Sequence, residues 1–292
     1  MPRVQFLIRF GYDGGRFHGS QPQPSLPTAG GMLHARLHAA FGQPPRALQF
    51  TSRTDGGVHA IANLATTWLP HTVDVEAGLA ALRVERDDGL VDVWGEQVPR
   101  SVNARAISRG KHYRYVVRTG LSVATLEALE ARVSWHARRA ERRGEVPPLV
   151  DADATCWHIH PEPELDAMRA AAAHLLGTHD FAAIRSRRCG ARETIRTIER
   201  IDLSRRGDAI VFDIHGTAFL RQMIRILVGT LVEVGVGLRS AESMPALLAS
   251  HDRRLAGMTA PSRGLTLVSI HTVPIAGVEP REKPPVSSGT VS

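Results

Sequence analysis

A fold that mixes strands and helices is the class this sequence predicts, on two observations. Short apolar runs with the pattern of strands are interspersed with stretches of 3.6-residue helical periodicity, and both kinds occur in each half of the chain. No unit recurs at a fixed spacing, so a repeat architecture is not indicated. At 292 residues, 43% hydrophobic and 22% charged, the chain can bury one large core or two medium ones.

The elements follow in order. "RVQFLIRFGYDG" reads as an apolar strand ending in a Tyr-Asp-Gly turn, and "MLHARLHAAFG" as a helix with Met32, Leu33, Leu37 and Phe41 near helical spacing. "ALQFTSRTDGG" and "HAIANLATTWL" read as a strand, a turn, and a strand or short helix; "VDVEAGLAALRV" reads as a helix with Leu79 and Leu82 inward. "LVDVWGEQVP" and "GKHYRYVVRT" are expected strands. The stretch from Leu121 to Thr155 has helical periodicity, a mixed-charge run and then Pro147-Pro148, the pattern of an insertion or linker. "ELDAMRAAAAHLLGTHDF" is an Ala-rich helix that Gly177 should cap, and "TIRTIERIDLSRRGDAIVFDIHG" reads as two strands about the Arg206-Gly207-Asp208 turn. "TAFLRQMIRILVGTLVEVG" is apolar nearly all round and should be a buried helix. From Pro274 the Pro- and Ser-rich composition is that of a disordered tail.

Composition narrows the function. The opening "MPRVQFLIRF" is too short for a signal peptide, and the longest apolar run contains Arg221 and Arg225, so neither secretion nor a membrane span is expected. Two cysteines, Cys156 and Cys189, make no disulfide framework and suit a reducing cytoplasm. A net charge of +7 and a pI near 10.3 point to a polyanionic partner such as nucleic acid. All but two of the 36 basic residues are arginine, the exceptions being Lys111 and Lys283, so part of this balance can reflect a compositional bias toward arginine.

Candidate chemistry gathers at Arg53-Thr54-Asp55-Gly56-Gly57-Val58-His59-Ala60. By itself Asp-Gly-Gly is a turn, because glycine accepts positive φ. The apolar helix, however, carries Arg221 and Arg225 four residues apart, and an arginine in such surroundings needs an anion or a route to solvent. Asp55 is the candidate anion. Tyr113 and Tyr115 share one face of a strand beside Lys111, a platform for a stacked base or else ordinary core packing. In "CWHIH", Cys156, His158 and His160 could form half of a zinc site, but no second pair at ligand spacing follows. A Walker lysine, a dinucleotide fingerprint and a Gly-x-Ser-x-Gly elbow are all missing from the sequence.

Taken together, "YDGGRFHGSQPQP", "RTDGGVHA", "NAR" followed by "KHYRY", "LDAMRAAAAHLLGTHDF", "FLRQMIRILVG" and "GMTAPSRGLTLVSI" resemble the tRNA pseudouridine synthase A family over about residues 4 to 270. The resemblance implies an isomerase that converts uridine to pseudouridine in the anticodon stem-loop of tRNA. It implies two α+β halves, residues 1–108 and 109–273, around a central cleft, with a longer insertion near 119–150 and a tail over 274–292. It implies a cytoplasmic homodimer that binds tRNA. It gives Asp55 as the catalytic aspartate, Arg225 as its partner and Tyr113 as the residue stacked on uracil, while Arg53, Lys111 and Leu265 contact the RNA or base. The reaction breaks the C1′–N1 bond and forms C1′–C5 with no atom gained or lost, so no cofactor and no metal is expected. One carboxylate beside C1′ can attack the sugar, stabilise its positive charge or take the C2′ proton.

The chain also departs from the family pattern. Ser52 and Gly56 stand where Gly and Ala are usual, Ser20 replaces a Trp, and Ala29-Gly30 replaces Val-Gln; Arg83 to Glu85, Val102 and Ala106 differ as well. Ser20 and Gly30 are therefore expected at the cleft rim, where smaller side chains would open the pocket. Two other readings stand beside the first: the same isomerisation on another RNA site or a free uridine nucleotide, and a non-catalytic tRNA-binding or chaperone protein.

Overall fold

The computed structural model describes residues 2–120 and 155–275. The expected insertion helix and the tail beyond residue 275 lie outside those residues.

Ten strands form one sheet: β1 (Arg3–Tyr12), β2 (Arg46–Phe50), β3 (His59–Pro70), β4 (Leu90–Val98), β5 (Ser108–Arg118), β6 (Trp157–His158), β7 (Gly177–Asp180), β8 (Ile195–Arg206), β9 (Ala209–Gly216) and β10 (Leu265–Thr272). The main path runs β4-β1-β3-β10-β5-β9-β8-β7, with β2 beside β3 and β6 beside β5. Neighbours are antiparallel except β10 with β3 and β6 with β5. The last strand therefore closes the middle of the sheet. Thr266 pairs with His59 on one side and Arg114 on the other, which brings the turn before β3 next to the tyrosines of β5.

The α-helices among the described residues are α1 (Ala29–Phe41), α2 (Val75–Leu82), α3 (Leu165–Ala173), α4 (Met223–Gly235) and α5 (Met244–Ser250). Thr28 caps α1 by accepting from Gly31 N–H, and Gly42 ends it at φ 65°. Strand alternation decides which residues meet the helices. Phe6, Ile8 and Phe10 share the main core with Leu33, Leu37 and Phe41 of α1, whereas Leu7 faces the other way into a small cluster with Val98, Val102 and Ile107. Each such side chain contributes about 1.5–3 kcal/mol by leaving water.

The ambiguous stretch after the Asp-Gly-Gly turn is a strand, β3. Two expected boundaries are corrected. Gly177 does not cap α3, which ends at Ala173 with His174 as its C-cap; at φ 93° Gly177 instead turns the chain into β7. The apolar helix does not begin at Thr217. Gln222, left-handed at φ 60°, is its N-cap, so Phe219 and Arg221 precede α4 and are aimed independently of it.

On the face of the central strands opposite the tyrosines, Asp213 accepts from His112 at 2.6 Å and from Arg114 at 2.9 and 3.0 Å, and the His112 and His215 rings stack at 4.1 Å. Burial would raise Asp213, but the hydrogen bonds from His112 and Arg114 outweigh it and bring the carboxyl down to about 2. Burial, then the charges of His112 and Arg200, lower His215 from 6.5 to about 4. Both pKa values are depressed on folding, so both contributions are full at neutral pH and are lost on acidification. Stability should fall as pH drops from 6.5 to about 4 through His215, and further toward pH 2 through Asp213. Urea titrations of wild type and His215→Gln over this range test it: the variant should lose the first slope and keep the second.

Candidate active site

The stretch between β2 and β3 presents Asp55. Val58 N–H donates back to Asp55 O at 3.2 Å, closing the turn, and Gly57 takes φ 79°. A side chain at Gly57 would be strained in conformation, and its Cβ would lie 2.5 Å from Ser262 Oγ. At Gly56 a Cβ would meet only ordinary contacts, 3.5 Å from His18 backbone atoms. An alanine is therefore tolerated at 56 and excluded at 57.

Beneath the turn, Tyr12 Oη lies 2.8 Å from Thr54 Oγ1, and Ser20 Oγ accepts from Thr54 N–H at 2.9 Å. Asn63 Nδ2 donates to Tyr12 Oη at 3.2 Å and to Ser52 O at 2.9 Å. Burial pushes Tyr12 up to about 12, which keeps it a neutral phenol within this network.

Asp55 is 24% exposed and lies between two arginines: Arg225 Nη1 at 3.5 Å from Oδ2, and Arg221 Nε at 3.8 Å from Oδ1. Arg225 sits in the first turn of α4, and its Nε donates to Ala260 O at 2.7 Å. Ala260 N–H in turn donates to the backbone O of Arg225, which ties the segment that accepts from the guanidinium to the helix. Burial lowers Arg225 from its ordinary value while the Asp55 charge opposes that shift. Arg221 is half exposed and reaches the same carboxylate from ahead of the helix. The pairing with Asp55 expected of these arginines thus occurs, with Arg225 in the helix and Arg221 ahead of the left-handed Gln222.

Tyr113 is 6% exposed. Its hydroxyl lies 2.8 Å from Ser52 Oγ, and the Phe219 ring stands edge-on at 5.5 Å. Burial raises its pKa well above the usual tyrosine range, with the Ser52 hydrogen bond opposing. Tyr115 corrects the idea of a two-ring platform. It is fully buried, and its hydroxyl donates to Pro261 O at 2.7 Å, so it holds the turn leading into β10 instead of facing a ligand.

Asp55, Tyr113, Phe219, Arg221 and Arg225 line a cavity of about 1060 Å³ that also includes Arg53, Lys111, Leu265, Arg105, Arg188 and Arg196. Arg53 is exposed, whereas Leu265 is buried at the head of β10. Lys111 is half buried; burial, then the Arg196 charge, lowers its pKa. All six expected site residues thus border one space. Sequence reasoning missed Phe219, Arg105, Arg188 and Arg196, because nothing in their spacing marks them; the sheet order brings them in.

Ser20 and Gly30 do not lie at the rim. Ser20 is fully buried beneath Thr54, and a Cβ at Gly30 would lie 2.5 Å from Ser20 O and 2.7 Å from the Phe50 ring. A Trp or a Gln has no room at these positions with the present backbone, so the two changes act together on packing under the turn. Gly30→Ala should cost about 1–3 kcal/mol by overpacking, measured as a lower urea midpoint, with KM for substrate unchanged. In "CWHIH", Cys156 Sγ approaches His158 Nε2 at 3.4 Å while His160 is exposed; among the described residues no group of three His, Cys, Asp or Glu side chains is placed to hold a metal ion.

One carboxylate between two guanidinium groups, a buried tyrosine bordering the same cavity and a strongly basic surround make a pocket whose chemistry suits an anionic ligand. Residues 171–271 match a family model described as tRNA pseudouridine synthase. A tRNA pseudouridine synthase A of Geotalea uraniireducens is 33% identical over 273 residues, 92% of this chain and 99% of that protein. Those of Myxococcus xanthus and Geobacter sulfurreducens are 35% and 36% identical, over 92% and 89% of this chain and 92% and 96% of theirs. A more distant likeness is to a solved chain of a Cbf5-Nop10-Gar1 complex, 13% identical with a TM-score of 0.36, covering 89% of this chain and 49% of that one. The chain belongs to the tRNA pseudouridine synthase A family.

Proposed function

We propose that this chain converts uridines of the tRNA anticodon stem-loop to pseudouridine, as a cytoplasmic homodimer, with Asp55 acting on the ribose, Arg225 positioning it and Tyr113 against the uracil. The observation that carries this reading is the clamp on Asp55. Arg225, tied at Nε to Ala260 O, turns Nη1 toward the carboxylate, so the anion has a positioned counter-charge while remaining a quarter exposed toward the cavity. A carboxylate so held can act on C1′ or on the C2′ proton. The uracil, released at N1, turns within the cavity and rejoins through C5. Tyr113 enters as a neutral phenol beside Leu265, with Lys111 and Arg53 available to phosphate or uracil oxygens.

A uridine must leave its stack to reach Asp55, at a cost of a few kcal/mol, and contacts to the rest of the RNA are the natural source of that energy. Residues 1–108 supply Asp55 and Arg53, and residues 109–273 supply Tyr113, Arg225, Lys111 and Leu265; we read these as the two walls of the substrate cleft.

Mass spectrometry of anticodon-arm RNA from a strain lacking the enzyme, before and after addition of the protein, tests the assignment: new pseudouridine in that arm is expected. tRNA binding should weaken about tenfold or more between low and physiological salt, and uridine 5′-monophosphate should not turn over. Conversion of the free nucleotide without activity on the arm would overturn the substrate, and binding without any conversion would favour the chaperone reading.

Ser52→Gly, which restores the usual family residue, frees the Tyr113 hydroxyl. The loss of one hydrogen bond should lower kcat by about 2- to 10-fold with KM nearly unchanged; an unchanged kcat would show that Ser52 does not position the ring.

A further inference from the structure

A second cavity, about 650 Å³, adjoins the Asp55 cavity and shares Arg188, Arg221 and Gln222 with it. Its other walls bring Arg187, Arg253 and Arg254, and among the described residues no carboxylate lines it. Arg254 is neutralised by Asp252 at 2.7 Å. Arg253 is not neutralised in this way: its donors go to Ala256 O at 3.2 Å and Thr259 Oγ1 at 3.0 Å, both uncharged. Burial and the neighbouring Arg187 both lower the Arg253 pKa, with Glu233 opposing. Five arginines thus border one concave surface; Asp252 faces Arg254 and Arg187 and Asp55 faces Arg221, while Arg253 is held by neutral acceptors. The arginines outnumber the carboxylates that face them, which leaves a positive field suited to an added anion.

The junction with the Asp55 cavity indicates which anion. Arg221 forms part of both walls, and Met258, 51% exposed, adds an apolar surface within the second cavity. A nucleotide turned toward Asp55 remains joined to its neighbours, whose phosphodiesters must leave through an adjoining space.

We propose that this arginine-lined cavity binds phosphodiesters of the RNA strand flanking the reacting uridine, with Arg187 and Arg253 as the principal phosphate ligands. The inference rests on the tRNA reading above and deepens it: the cavity positions the strand and leaves the chemistry to Asp55.

Salt titration of tRNA binding and steady-state kinetics with Arg187→Gln and the Arg187→Gln/Arg253→Gln pair provide the test. Each lost phosphate contact should lower the log–log salt slope by about one. KM should rise about tenfold in the double variant, with kcat within about twofold of wild type. Arg187 is exposed, so its single variant remains interpretable even if Arg253→Gln disturbs the loop. Anticodon-arm RNAs carrying neutral methylphosphonates beside the target uridine should bind wild type more weakly at one or two linkages, and those penalties should vanish in the double variant. An unchanged slope and KM in Arg187→Gln, or penalties that persist in full, would overturn the proposal. Inorganic phosphate bound through the same arginines, with the tRNA slope intact, would do so too, by making the cavity a site for free phosphate. Wild-type conversion of the unmodified arm is measured alongside, and its absence would count against the tRNA reading and not against this cavity.

Discussion

Asp55→Asn is expected to reduce pseudouridine formation at least a thousandfold while leaving tRNA affinity close to wild type. Asparagine fills the same volume in the turn, since the backbone there is set by Gly57 and by the bonds from Ser20 and Tyr12 to Thr54. It cannot attack C1′, take a proton or carry the negative charge that the reacting ribose requires, and loss of a nucleophile or base falls in this range. Some stability will be lost, because Arg225 is only 14% exposed and loses its counter-charge. Arg225 keeps Ala260 O, and Asp55 is partly solvated, so we expect no more than about 1–2 kcal/mol. Single-turnover assays with saturating enzyme separate the two effects. Residual conversion above about a thousandth of wild type would remove Asp55 from the chemistry.

The second large effect is expected at Arg225. Methionine at this position preserves the packing of α4 but leaves Asp55 with only Arg221, at 3.8 Å and on a half-exposed side chain. Removing one preorganised charged partner of a reacting group typically costs about 10²–10³ in kcat, and that is the expected loss, with KM for tRNA changing far less. Arg225→Lys should not rescue it. The native guanidinium spans Ala260 O through Nε and Asp55 through Nη1, and a single ammonium cannot hold that planar geometry. Turnover of Arg225→Met within about threefold of wild type would reduce Arg225 to a packing residue.

Much of the site was legible in the residues. Asp-Gly-Gly announced a turn with positive φ, which Gly57 supplies. Two arginines on an otherwise apolar segment announced a need for an anion, and Asp55 meets it. Tyr113 beside Lys111 announced a face that could meet a base. The same reasoning failed for Tyr115, which shares the strand face but packs in the core, because β10 covers it and Pro261 O takes its hydroxyl proton. It failed for Ser20 and Gly30, placed by comparison with the family pattern at the rim and by packing beneath the Asp55 turn. It also failed for the start of α4, because no local propensity indicates that Gln222 will take a left-handed conformation.

The sequence by itself determined the mixture of strands and helices, the alternation that separates Phe6, Ile8 and Phe10 from Leu7, the turn at Asp55 and the need of Arg225 for a partner, since these depend on local periodicity, glycine conformation and the cost of an unpaired charge. Only the tertiary structure decided that the last strand lies between β3 and β5. With it came the meeting of Asp55, Tyr113 and Leu265 in one cavity, and the gathering of Arg187, Arg221 and Arg253 into the next. Strand order and the approach of distant loops arise from contacts between residues far apart in the chain, and no short window of sequence contains both partners.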